Sequence, residues 1–232
     1  TGLFQPKHPI LGSDIAGRVA GVGQHVPQFQ VGDAVFSDLS GHGRGGFAEY
    51  VAVPETAVAH KPANITFAQA AAVPMTAVTA LQGLRDKGQI QSGQKVLING
   101  GSGGVGTFAV QIAKALGGEV TAVASARKVA MVRAIGADHL IDYTQEDFTR
   151  NGRRYDLIFD TVANHPISDI KRVLNRNGRY VTTAFSLAVQ LLGPWVALTE
   201  GKQMSNLMAK PRQDNLIYLS ELMKAGKVAA VI

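Results

Sequence analysis

The pattern of apolar and polar positions changes near residue 65. Before it, short Val/Ala/Phe runs are broken every few residues by glycine or proline: DIAGRVAGVG, VGDAVF and GGFAEYVAVP. Runs that short, closed by turn residues, predict strands of antiparallel β structure. After it, strand-like and helix-like periods alternate. Thr66-Phe67-Ala68-Gln69 carries the hydroxyl and amide of a capping box ahead of the alanine-rich TFAQAAAVPMTAVTAL. KVLIN predicts a short buried strand, and Val105, Phe108, Ala109, Ile112, Ala113 and Leu116 keep helical spacing behind it, up to Gly117-Gly118. EVTAVA, HLIDY, DLIFDTV and RYVTTAF predict further strands, with ARKVAMVRAI (closed by Gly136) and ISDIKRVLNRNG as helices among them. Such alternation implies βαβ units and a parallel sheet. The predicted class is therefore α/β, a doubly wound parallel sheet with a partial β-rich domain. The chain starts in a glycine-punctuated strand run and stops on the apolar GKVAAVI, so the β-rich part is expected to be incomplete.

The junction between KVLIN and its helix carries the chemistry. Gly101-x-Gly103-x-x-Gly106 follows a predicted strand and opens a predicted helix. That context turns a weak spacing match into a dinucleotide-binding signature. One glycine permits the tight turn, the second admits a pyrophosphate to the backbone, and the third lets helix and strand pack closely. Unpaired N–H groups at the helix start favour the phosphate charge. The plain alternative is a connecting turn that binds nothing, at a large entropic cost for three glycines.

About twenty residues further on, an NAD site places an acid for the ribose 2′-OH. Here the position falls in Ala124-Ser125-Ala126-Arg127-Lys128, with no acid, two cations and a hydroxyl. A carboxylate repels a 2′-phosphate, whereas Arg, Lys and Ser bind one, so the expected cofactor is NADPH. The alternative, that Arg127 and Lys128 are ordinary helix-start cations, sets them against the helix dipole.

Composition narrows this further. The 232 residues are 46% hydrophobic and 17% charged, with no cysteine. That is ample for a packed core and excludes disulfides, cysteine zinc sites, iron–sulfur clusters and a thiol nucleophile. It points to an intracellular, cytoplasmic protein. The net charge of +6 is spread along the chain without a nucleic-acid-binding motif, Arg153-Arg154 included, so no nucleic-acid partner is expected. Ser186–Leu198 is too short to span a bilayer and is broken by Gly193-Pro194. It is expected to line or cover a substrate pocket or to be a core helix interrupted at that pair. The six histidines are scattered, with no pair at ligand spacing, and no metal is expected.

In their order along the chain, ILGSDIAGRVAGVG, VGDAVF, GGFAEYV, LINGGSGGVGTFAVQIAK, IGADHLIDY and FDTVA resemble the medium-chain dehydrogenase/reductases, specifically their zinc-independent quinone oxidoreductase branch. The resemblance covers most of the chain. It implies a GroES-like catalytic domain made from both chain ends (residues 1–64, with a helix and strand at 213–232) and a Rossmann domain at 65–212, with further strands beyond both ends. It places Gly101, Ser102, Gly103, Gly104, Val105 and Gly106 around a pyrophosphate. Ser125, Arg127, Lys128 and Tyr143 fall around an adenosine 2′-phosphate. Thr161, Val162, Thr183, Ala184 and Phe185 fall along the ribose and nicotinamide, with Thr79 near the nicotinamide end. Zinc alcohol dehydrogenases have a His-Glu pair where this chain has Gly12-Ser13-Asp14, and a cysteine lobe that is missing here. Hydride transfer to a quinone or a conjugated carbonyl is the implied activity, on a small hydrophobic substrate. Tyr50, Thr79 and Ser13 are the candidate proton donors. An enal or enoyl-thioester reductase, and a non-catalytic NADPH-binding sensor or scaffold, are the competing readings. A homodimer is expected from the family habit of pairing sheet edges.

Overall fold

The computed structural model describes residues 10–232; the strand run expected at the very start of the chain lies outside them. In chain order the strands are β1 (Asp14–Arg18), β2 (Ala34–Asp38), β3 (Val58–His60), β4 (Lys95–Asn99), β5 (Glu119–Ala124), β6 (His139–Asp142), β7 (Tyr155–Asp160), β8 (Leu174–Thr182) and β9 (Gln203–Asn206). The α-helices are α1 (Phe67–Ala71), α2 (Pro74–Leu81), α3 (Gly104–Ala115), α4 (Val129–Ala134), α5 (Ile167–Val173), α6 (Leu187–Glu200) and α7 (Gln213–Lys224). The chain divides into two compact units, one running to Val78 and resuming at Lys210, the other Thr79–Ala209.

In the first unit β1, β2 and β3 form an antiparallel sheet, with Ile15 opposite Ser37 and Phe36 opposite Ala59. Phe36, Leu39 and Ala59 are buried in it. The capping box forms: Gln69 N donates to Thr66 Oγ1 at 3.1 Å, and Thr66 N donates to Gln69 Oε1 at 2.9 Å. The alanine-rich helix nevertheless stops after Ala71, and a second helix opens at Pro74. Proline lacks the N–H that a helix interior needs, but suits a first helical position. The expected strand at GGFAEYVAVP forms no ladder, and the last residues, 227–232, form no regular secondary structure. Gly46 N and Phe47 N donate to Gly12 O and Leu11 O at 3.0 and 2.9 Å, but no ladder with a described strand extends from those two bonds.

The second unit is a six-stranded sheet in the order β6-β5-β4-β7-β8-β9, and every pairing is parallel. Its central strands are buried on both faces, as in Leu97, Ile98, Leu157, Ile158 and Phe159, all at 0% exposure. A continuous apolar run such as KVLIN or DLIF suits that environment. Three details depart from the expected pattern. The helix over 167–178 ends at Val173, because Leu174 turns extended, is fully buried and pairs with Tyr155; Asn177 then takes a left-handed φ of +64°. A sixth strand, β9, follows where none is expected. The Ser186–Leu198 segment is one uninterrupted helix with Pro194 inside it. Gly193 lies so close to β9 that a Cβ there would sit 3.0 Å from Met204 O, so the glycine is a packing contact and not a break.

Candidate functional site

Because the sheet is parallel, the loops after β4, β5, β6, β7 and β8 all leave from its carboxyl edge. Ligands of open α/β sheets bind there, where the strand order reverses; here that is between β4 and β7.

The loop after β4 is built from glycines with different duties. Gly100 takes the left-handed turn at φ +86°, and a Cβ on it would fall 2.3 Å from Thr161 Oγ1. The turn expected at Gly101 therefore belongs to Gly100, which the motif spacing overlooks. Gly101 lies against β5: its N–H donates to Val123 O at 2.9 Å, and a Cβ would reach Ala122 Cβ at 2.9 Å. Gly106 is the tightest, with a Cβ 2.0 Å from Gly100 O. Gly103 is different. Its φ of −81° and ψ of 172° suit any residue, and the nearest atom to a Cβ is an ordinary 3.5 Å away.

Three glycines are thus required by the chain itself, and Gly103 is not. It is the exposed N-cap of α3 and supplies no side-chain cap. By position, the N–H groups of Gly104, Val105 and Gly106 have no acceptor within the helix. Bare backbone, open space and unpaired donors at a twelve-residue helix start fit a diphosphate.

Beside it, β5 ends at Ala124 opposite Asp142, and Tyr143 N donates to Ala124 O at 3.4 Å. Ser125 and Tyr143 are thereby brought to adjacent strand ends, with the Tyr143 ring 63% exposed. Arg127 and Lys128 occupy a 3-10 turn after Ser125, exposed, and their side chains have no hydrogen bond or ion pair with any described residue. Two free cations beside a hydroxyl, without a carboxylate, form an anion-selective corner.

The third wall is the β7 end. Thr161 is pinned to β4, its N–H and its hydroxyl both donating to Asn99 O at 3.1 and 2.9 Å. Behind it Asp160, fully buried, accepts at Oδ1 from Asn99 Nδ2 (2.9 Å), Val162 N (2.9 Å) and Ala163 N (2.8 Å), and at Oδ2 from the Tyr180 hydroxyl (3.0 Å). Burial, and then the Asp160 charge, push the Tyr180 phenol well above its ordinary value. These bonds hold Ala163 in a left-handed conformation, φ +55°, and fix the loop beside Gly100. Sequence reading missed Asp160; the signal was an acid closing an otherwise apolar strand, DLIFD. Thr183 N donates to Asp160 O at 3.0 Å, which draws the β8 end into the same edge; Val162 and Phe185 there are exposed.

The remaining candidates lie on other segments of the chain. Thr79 is half-buried on α2, away in sequence from these loops. Ser13 and Tyr50 belong to the first unit. Ser13 is half-buried before β1, its carbonyl accepting from Leu39 N at 2.7 Å. Tyr50 is 78% exposed and lies outside any strand. Next to Ser13, Asp14 accepts from Met75 N at 3.1 Å, so it caps the start of α2. Burial, with Asp38 opposite it in the ladder, pushes its carboxyl up to about 7 against the pull of that N–H. Among the described residues no group of three or more His, Asp or Glu side chains could hold a metal ion, and no helix is long and apolar enough to cross a membrane.

Comparison with known proteins agrees with this architecture. Residues 1–63 match the family described as alcohol dehydrogenase GroES-like domain, and residues 135–232 the one described as zinc-binding dehydrogenase. A chloroplast envelope quinone oxidoreductase homolog of Arabidopsis thaliana is 33% identical over the whole of this chain and 75% of its own length. An NADPH-dependent alkenal/one oxidoreductase of the same plant is 39% identical over 68% of this chain and 43% of that protein. The solved quinone oxidoreductase of Coxiella burnetii superposes with a TM-score of 0.82 at 30% identity, over 96% of this chain and 69% of that one. The chain belongs to the medium-chain dehydrogenase/reductases, in their quinone oxidoreductase-like branch. It is an oxidoreductase of the nicotinamide-dependent kind.

Proposed function

We propose that the protein is an NADPH-dependent, zinc-independent reductase of quinones and conjugated carbonyls. The observation that carries the reading is Gly103: a glycine that neither backbone angles nor packing demand, at the open start of α3, where a side chain would stand in the way of a diphosphate. Gly101, Ser102, Gly103, Gly104, Val105 and Gly106 hold the pyrophosphate through backbone N–H groups. Ser125, Arg127, Lys128 and Tyr143 take the adenosine and its 2′-phosphate. Thr161, pinned to β4, and Val162 present a fixed surface to the ribose and nicotinamide, and Thr79 is assigned to the nicotinamide end.

When bound, the reduced nicotinamide supplies a hydride, which suits an acceptor whose oxygen takes up negative charge. Such charge is stabilised by hydrogen-bond donors already in place. Tyr50, Thr79 and Ser13 are the candidates to supply that hydrogen bond or the proton. Among the described residues, these side chains polarise the acceptor through hydrogen bonds.

The names of the plant relatives favour two acceptor classes, quinones and alkenals or enones. Following NADPH absorbance with quinones, 2-enals, enoyl thioesters and simple ketones tests the choice. Turnover of quinones or enals without added metal supports the reading; turnover confined to simple ketones with added zinc overturns it. NADPH binding with no acceptor turned over supports a sensor or scaffold instead.

Self-association belongs to the same reading. In the six-stranded sheet β9 is an edge strand, and α6, packed on it, exposes Leu191, Trp195 and Leu198. Pairing of two β9 edges would cover open backbone, and sedimentation velocity should show a dimer. A cytoplasmic location is the remaining part of the proposal, tested by fractionation of the source cells.

A further inference from the structure

The amino edge of the same sheet, opposite the cofactor loops, holds a polar cavity of about 520 Å³ where β4, β5, β6 and β7 begin. Lys95, Arg153 and Arg154 line it together with Glu119, Asp156 and Tyr155. Both carboxylates are already engaged. Glu119 pairs with His139 at 2.8 Å, and Asp156 accepts from Lys95 N (2.9 Å) and Asn175 Nδ2 (2.7 Å). The three cationic head groups are not: none has an ion pair or hydrogen bond with another described residue.

The loop carrying the arginines is held in place. Gly152 turns it at φ +76°, Arg153 N donates to Asn151 Oδ1 at 3.0 Å, and Asn151 Nδ2 donates to Glu146 Oε1 at 2.8 Å. Tyr155 is 2% exposed, and its hydroxyl is buried with no partner at full hydrogen-bond geometry; burial raises its phenol, and the Asn151 and Thr121 side chains lie near enough to pull it down against that rise. A buried hydroxyl without a well-formed hydrogen bond costs about 1–3 kcal/mol, a cost that a ligand oxygen in the cavity would offset. The last-turn cations of the neighbouring helices, Lys114 and Arg133, already meet the helix C-termini at this edge. Lys95, Arg153 and Arg154 are additional to that need.

We propose that this cavity is a second anion site, taking the phosphate group of a small metabolite or free phosphate. The arginine forks and Lys95 would hold the phosphoryl oxygens, and the Tyr155 hydroxyl would gain its partner.

The test is calorimetric titration of the chain, saturated with NADPH so that the opposite edge is filled, with inorganic phosphate and separately with ribose 5-phosphate. Sodium chloride at equal ionic strength is the control. Saturable binding of either probe at one site per chain, weakened at least tenfold in Arg153→Glu/Arg154→Glu and several-fold in Tyr155→Phe, is expected. Which probe binds more tightly distinguishes a free ion from a phosphate ester. Lys95→Ala, a milder exposed change, gives the same readout if the double variant is unstable. No response beyond chloride, equal binding in the variants, or binding only when NADPH is left out would overturn the proposal.

Discussion

At the carboxyl edge of the six-stranded sheet, the proposed diphosphate cradle is made of backbone N–H groups with cations only at its far corner. At the amino edge, the basic side chains surround a cavity that has no helix N-terminus facing it. In both places charge is met by donors, but the donors differ in kind. Backbone donors are fixed by the fold and cost no side-chain ordering, whereas Lys and Arg lose rotamer freedom when they bind. The carboxyl edge therefore relies on glycines and on one buried acid, Asp160, which four donors satisfy. The amino edge relies on a pinned loop. Backbone geometry that close tolerates little change, while side-chain recognition is altered gradually.

The largest expected effect follows from that intolerance. Gly106→Ala drives a methyl group into Gly100 O and should cost about 3 kcal/mol or more of unfolding free energy, read by urea denaturation, with loss of NADPH binding. Gly103→Ser should behave in the opposite way. A serine N-cap on α3 leaves stability unchanged or raises it by a few tenths of a kcal/mol, while NADPH affinity falls at least tenfold; equal affinity would remove the reason given for this glycine. Removing the acid behind the loop, Asp160→Ala, takes the acceptor from the Tyr180 hydroxyl and from two backbone N–H groups and leaves Asn99 Nδ2 with Asn164 alone. About 3 kcal/mol should be lost, with weaker cofactor binding in the fraction that stays folded.

At the far corner the effect is smaller and selective. Lys128→Glu should weaken NADPH roughly tenfold or more, by loss of a charge-assisted contact, and barely change NADH, as measured by fluorescence titration. Equal loss of both would count against a 2′-phosphate there.

Asp14, in the three-stranded unit, sharpens the comparison from outside: a half-buried carboxyl with one backbone donor and a second acid opposite. Its folded pKa, about 7, lies above its ordinary 3.8, so the folded state binds the extra proton between these values. The stability this contributes is fully present below about pH 4 and is lost as pH rises through 7. Asp14→Asn should flatten that part of the pH profile and raise stability at pH 8 by about 1 kcal/mol, after allowance for solvent screening.

Much of this was legible before any coordinates. The strands KVLIN, EVTAVA and DLIF, the helix at 104–115 and the Thr66–Gln69 capping box depend on neighbours a few residues apart, so periodicity and local chemistry reveal them. The glycine spacing in its strand–turn–helix context marked the loop for the same reason. Sequence reading failed where the deciding partner was distant. GGFAEYVAVP has the residues of a strand, but beyond the bonds of Gly46 and Phe47 it forms no ladder with the described residues. Gly193-Pro194 has the residues of a break, yet helix α6 runs through it because β9 accepts the glycine at close range.

What the sequence determined by itself was the set of elements, the parallel class and the loop where phosphate chemistry belongs, since each is written in contiguous residues. Only the tertiary structure decided which glycines are packed and which is open. It alone joined Asn99, Asp160 and Tyr180 into one buried network and gathered Lys95, Arg153 and Tyr155 around one cavity. Those contacts join residues tens of positions apart, and a carboxylate or a hydroxyl shows what it is for only when its donors and acceptors are in place.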